Sequence, residues 1–169
     1  MNYELCCEFI SHLDQDWSLG CGYSPDEVKS WLKTLALPSE FHRFMNFNWP
    51  QLDGQIVHIS ILSAASICAH ELTPLLLKYQ FWYAGSAPNG DYFVLDLSTE
   101  KCTPGFISHE AWEPWNPEPK DPRPTFQQIA RTFESFLYRA LEGRYLPTDY
   151  SAAEAFNTFL AKEQNYGHG

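Results

Sequence analysis

The stretch QFWYAGSAPNGDYFVLDL, residues 80 to 97, decides the fold. Gln80 to Gly85 is rich in strand-forming aromatics, and Ala87-Pro88-Asn89-Gly90 has the composition of a tight turn. Beyond the turn, Phe93, Leu95 and Leu97 share one face of a strand, while Tyr92, Val94 and Asp96 share the other. After residues 98 to 104 comes a third strand, Gly105 to His109, so the segment predicts an antiparallel meander. Asp96 points away from the main apolar face. It is expected to accept hydrogen bonds from a neighbouring turn, or to face water, as part of the scaffold.

Upstream of this hairpin the apolar period changes. From Gln55, the residues Ile56, His58 and Ser60 alternate with Val57, Ile59 and Ile61, which predicts one more strand. Before it the spacing is helical. Leu5, Phe9, Leu13 and Trp17 recur every four residues and predict a first helix, broken at Gly20 and Gly22. Ser24-Pro25-Asp26-Glu27 has the form of a capping box ahead of Val28, Trp31, Leu32 and Leu35. Leu37-Pro38 ends that helix, and Ser39, Phe41, Phe44 and Met45 begin a short amphipathic one that stops before Asn48-Trp49-Pro50. Residues 63 to 77 fit a short helix ending near Thr73-Pro74.

Downstream, EAWEPWNPEPKDPRP, residues 110 to 124, carries five prolines together with Trp112 and Trp115. Proline cannot donate to a ladder or continue a helix, so this is an extended or turning loop. Thr125-Phe126-Gln127-Gln128 resembles another capping box, and Phe126, Ile129, Phe133, Phe136, Leu137 and Leu141 form one stripe running to Gly143, which predicts a long helix. A last helix is expected from Ser151, with Phe156, Phe159 and Leu160 as its apolar side, before a frayed Gly-His-Gly tail. Helices, strands, then helices describe an α+β domain over residues 1 to 169, an antiparallel sheet of about four to six strands packed against N- and C-terminal helices.

The 169 residues are 44% hydrophobic and 16% aromatic, enough for one large core. Twenty-one acids against eleven bases leave a formal charge of -10, which repels phosphate backbones, so direct binding of nucleic acid is not expected. No stretch approaches the ~20 apolar residues of a membrane span. Cys6, Cys7, Cys21, Cys68 and Cys102 are odd in number and irregularly spaced, and MNYELCCEF lacks the form of a signal peptide, so a reduced, cytoplasmic protein is expected.

Catalytic patterns are missing from the chain. Cys68-Ala69-His70 offers two metal ligands where a closed zinc site takes four, and adjacent Cys6 and Cys7 diverge by about 100° on a helix, so no metal is expected. There is no Gly-x-Ser-x-Gly turn to present a nucleophile and no glycine-rich phosphate cradle, so no cofactor is expected either. A carboxylate-dependent hydrolase, using His58 with Asp96, is a remote alternative. More distinctive are Trp82, Tyr83, Trp112 and Trp115 near Glu110, Glu113, Glu118 and Asp121. Single tryptophans usually belong to a core, but as a set the eight residues suit an interface in which aromatics anchor and acids steer a basic partner.

Four stretches together resemble the SUKH superfamily, the domain of a yeast cell-wall-synthesis regulator and of many bacterial toxin-immunity proteins. They are Leu37-Pro38-Ser39-Glu40-Phe41-His42-Arg43-Phe44, Trp82-Tyr83-Ala84-Gly85-Ser86, the strand Gly90 to Leu97, and Phe133-Glu134-Ser135-Phe136-Leu137. They span residues 37 to 141, leaving helical extensions at 1 to 36 and 144 to 169. Where the family has a Tyr-Asn-Gly-Gly-like turn, Met45-Asn46-Phe47-Asn48-Trp49 stands instead. The resemblance implies a non-catalytic immunity protein that neutralises a cognate toxin; the eight residues above, chosen from composition, are the expected partner contacts, and the charge of -10 suits a toxin with a basic cleft such as a nuclease. Its alternative is an intracellular regulatory adaptor for endogenous proteins.

Overall fold

Alternation over residues 81 to 107 builds the centre of one sheet. The computed structural model describes the backbone of residues 1–17 and 19–166 and the side chains of 1–15 and 19–158. Its elements are α1 (Tyr3–Trp17), α2 (Asp26–Leu32), α3 (Ser39–Phe47), β1 (Gly54–Ile56), β2 (Ile59–Ile61), α4 (Ala64–Ala69) and α5 (Leu72–Leu77), then β3 (Phe81–Ser86), β4 (Tyr92–Asp96), β5 (Thr103–Ile107), β6 (Phe126–Gln128), α6 (Phe133–Leu141) and α7 (Tyr150–Tyr166). The six strands pair antiparallel in chain order, an α+β meander edged by β1 and β6.

Both faces of this sheet are covered. On one, Trp82, Ala84, Phe93, Leu95 and Phe106 meet α1, α3 and α6 through side chains such as Ile10, Phe44 and Phe136. The aromatics interlock at tilted or edge-on angles: Phe93 against Phe136 at 5.3 Å, Phe44 against Phe133 at 5.6 Å. On the other face, Phe81, Tyr83, Val94 and Ile107 lie under Leu72 and Leu76 of α5 and under Trp112. Each fully buried side chain of this size contributes about 2 kcal/mol by leaving water.

Several local expectations give way to tertiary constraints. The single strand expected from Gln55 is a hairpin: Ile56 pairs with Ile59, and Val57 turns the chain in the left-handed region at φ 59°. Residues 63 to 77 form two short helices, α4 and α5, with Pro74 inside the first turn of α5. The third meander strand lies two residues earlier than Gly105 to His109. On α1 the buried stripe is Cys6, Ile10 and Leu13, not Leu5 and Phe9, and Leu5 is exposed. Ser24 does not cap α2. It is buried and donates its hydroxyl to the Met45 carbonyl (2.7 Å) and its amide to the Asn46 carbonyl (2.9 Å), satisfying the end of α3.

The expected long helix from Thr125 is two elements. Phe126 to Gln128 join the sheet as β6, and α6 begins at Phe133 with Thr132 and Ser135 forming the capping box. Pairing with β5 wins because Gly105 makes room: a Cβ there would stand 2.4 Å from the Gln127 carbonyl oxygen and from the Phe126 ring. α7 is capped by Asp149, which accepts from the Ala152 amide (2.8 Å), in place of Ser151. The side chains of Trp17, Phe159 and Leu160 and the tail 167–169 lie outside the described residues.

Gly85 sits at a bulge in β3, and a Cβ there would stand 1.8 Å from the Ser60 carbonyl oxygen on β2. That clash is with backbone, so Gly85→Ala is expected to cost more than about 3 kcal/mol in urea denaturation. At Gly22 a Cβ meets nothing within 4 Å, and Gly22→Ala is expected to leave the midpoint unchanged.

Candidate functional site

The turn Asn89-Gly90-Asp91 closes the β3–β4 hairpin and places a carboxylate, 3% exposed, where three elements meet. One Asp91 oxygen accepts from the His109 amide (3.1 Å) and from His109 Nδ1 (2.7 Å). The other accepts from Asn89 Nδ2 (2.9 Å) and from the Tyr150 amide at the start of α7 (2.9 Å). All four lone-pair positions are used. Burial alone would raise this carboxyl, but the hydrogen bonds from Asn89, Tyr150 and His109 outweigh it and hold it below the usual carboxylate range. His109 therefore donates from Nδ1, and its ring is partly exposed.

From His109 the chain enters the proline loop, which is tied down along its length. The Trp112 amide donates to the Ser108 carbonyl (3.1 Å), its ring lies in the second core, and Nε1 donates to the Lys120 carbonyl (2.8 Å). The Tyr79 hydroxyl donates to the Pro119 carbonyl. At the far end, Arg123 donates from Nη1 to Asp96 (3.0 Å) and from Nη2 to the Tyr79 carbonyl (2.7 Å), over the face of Phe81 at 4.8 Å. Asp96 also accepts from the Ser98 amide (2.9 Å). The acid in the strand thus anchors the loop.

What the loop turns outward is Trp115, 62% exposed, with Glu110, Glu113, Glu118 and Asp121, all exposed. Asp121 accepts from the Arg123 amide (2.9 Å), so it also shapes the loop. The other three expected contact residues need correction. Trp82 is 0% exposed against Phe41 (5.4 Å) and Trp31 (5.7 Å), and its Nε1 has no partner among the described residues. Tyr83, on the opposite face, packs on His70 at 4.6 Å, and burial pushes its hydroxyl up to about 12, helped by neighbouring Tyr92. Trp112 is 3% exposed. Aromatics on a central strand or folded beneath their own loop fill the core before they can meet a partner.

His58 and Asp96 are not brought together. Ser60 pairs with Ser86 at one end of β3, while Asp96 pairs with Phe81 at the other, and His58 Nε2 contacts the Pro147 carbonyl at 2.9 Å. Among the described residues no three His, Cys, Asp or Glu side chains gather as a metal set, and no helix is long and apolar enough to cross a membrane. All five cysteines are free, and burial raises Cys21 to about 12, Cys102 to about 11 and Cys6 higher still.

One feature had no sequence signal in a single element: an open trough of about 690 Å³ lined by residues 126 to 131 with Ser135, Arg139, Phe156 and Asn157. It joins β6, α6 and α7, so only the fold assembles it.

Asp91 contributes stability that is complete above its unfolded value, about 3.9, and is lost as pH falls through its lower folded value. Asp91→Ala is expected to cost about 3 kcal/mol at neutral pH, since the His109 and Tyr150 amides lose their acceptor. It should also reduce the loss of stability on acidification, measured by urea denaturation across pH. Trp112→Ala is expected to cost about 4 kcal/mol by the same measure, and Trp115→Ala less than about 0.5 kcal/mol. Comparison of the chain with protein-family models and with curated proteins gives no match.

Proposed function

We propose that this chain is a non-catalytic protein-binding domain whose proline loop docks a basic partner. The observation that carries this is the exposed Trp115 on a loop already held by Trp112, Pro119 and Arg123. A tethered loop loses little entropy on docking, and an exposed indole is the most effective kind of anchor. Glu110, Glu113 and Glu118 extend outward along the same loop in a chain of charge -10, which speeds encounter with a cationic surface. Together with the resemblance to the SUKH superfamily, this favours a cytoplasmic immunity protein that covers the basic active cleft of a cognate toxin. Asp121 contributes by holding the loop's shape.

The test is capture of partners from the native cells on the tagged chain at moderate salt, identified by mass spectrometry. One stoichiometric partner with a basic toxic domain is the expected result. Several endogenous proteins would instead make the chain a regulatory adaptor, and an empty capture would remove the docking proposal. With the partner in hand, Glu110→Lys, Glu113→Lys and Glu118→Lys combined should weaken binding by at least about tenfold at low salt, with a smaller effect at high salt. Trp115→Ala should cost about 2 kcal/mol of affinity at either salt.

A further inference from the structure

Among the described residues the trough beside β6 is lined by two arginines and no acid, in an acidic protein. Arg131 is exposed at one end, and Arg139 reaches in from α6. Among the described residues neither guanidinium pairs with a carboxylate. Arg139 donates from Nη2 to the Tyr145 carbonyl and lies over the Phe156 ring at 5.5 Å, yet its Nε is buried with no acceptor among the described residues. Nη1 of Arg139 and the guanidinium of Arg131 have no acceptor among the described residues, and a carboxylate entering the trough would supply one.

The wall of the trough is itself a sheet edge. The Ser108 amide donates to the Thr125 carbonyl (3.2 Å) and the Ile129 amide to the Pro104 carbonyl (3.0 Å), so the odd-numbered residues of this segment face β5. Phe126 and Gln128 therefore turn their backbone groups away from the sheet, into the trough. Two of these are met: the Phe126 amide donates to the Arg123 carbonyl, and Asn157 Nδ2 donates to the Gln128 carbonyl (2.9 Å). The Phe126 carbonyl and the Gln128 and Ala130 amides receive no such contact among the described residues. β6 with Ile129, which still pairs to β5, gives roughly 10 Å of extended edge before the chain bends at residues 129 to 132, room for a short stretch of peptide.

We infer that the trough takes an extended acidic peptide, which adds as a strand to β6 and places carboxylates on Arg131 and Arg139. Backbone pairing supplies affinity and the arginines supply the choice of charge, as in other strand-addition sites. The Phe156 ring offers apolar contact to a side chain of the peptide. This site is opposite in charge to the proline loop, so the two proposals fail separately.

The probes are acetylated, amidated heptapeptides alternating valine, isoleucine or threonine with glutamate, titrated into the full ¹⁵N-labelled chain. The expected result is saturable shifts at the Gln128 and Ala130 amides. Placing proline at the centre of the peptide, or lysine in place of glutamate, should remove them. Arg131→Glu, at an exposed position, should weaken binding about tenfold, the size of one reversed charge pair near a surface. Absence of these shifts with every acidic peptide up to millimolar concentration overturns the proposal. So do equal shifts from free glutamate or inorganic phosphate, which would make the trough a simple anion pocket, and equal binding of the proline-containing peptide.

Discussion

Four hydrogen bonds to a buried carboxylate hold together parts of the chain that lie far apart in sequence. Asp91 is taken out of water at the β3–β4 turn, which is tolerable only if its charge is fully met. Its partners are the turn itself through Asn89, the chain leaving β5 through His109, and the first residue of α7 through Tyr150. None of the three can shift without orphaning a charge. The centre of the sheet, the entrance of the proline loop and the last helix are thereby fixed relative to one another.

The proline loop then solves a different problem. A sheet with Phe81, Tyr83, Val94 and Ile107 on its second face needs a cover, and α5 is only six residues long. The loop completes it by folding Trp112 inward, edge-on to Tyr92 at 5.8 Å. Because the loop serves the core with one tryptophan, it can expose another at a defined position. Arg123 closes the arrangement by joining the loop to Asp96 and to the Tyr79 carbonyl. Prolines suit such a cover, since they remove backbone donors that would otherwise be left unpaired against an apolar face.

Much of this was legible in the sequence where one period persists over a whole element. The β3–β4 hairpin, the proline loop and α3 follow from residues within each segment. The misread places are those where distant residues decide. Thr125 to Gln128 fits a helix start, but Gly105, some twenty residues earlier, opens the space that makes it a strand. Val57 is β-branched and disfavours the left-handed turn it adopts, so no local rule finds the β1–β2 hairpin. At the candidate site, the charges on Glu110, Glu113 and Glu118 predicted exposure correctly, while the aromatic character of Trp82, Tyr83 and Trp112 could not separate anchor from core. Asp91 carried a faint signal in its Asn-Gly-Asp turn. Arg131 and Arg139 carried none, because their meeting depends on β6.

The buried thiols set how this chain ages. Oxidants and electrophiles react with thiolate, and burial keeps Cys6, Cys21 and Cys102 almost wholly protonated at neutral pH. In a folded molecule these sulfurs are close to inert. Cys6 becomes available when α1 lifts and Cys102 when β5 opens, and oxidation at that moment leaves a polar or cross-linked sulfur that no longer fits its place. Chemical wear at these three sulfurs therefore scales with the fraction of time the chain spends open, and each such injury makes the next opening easier.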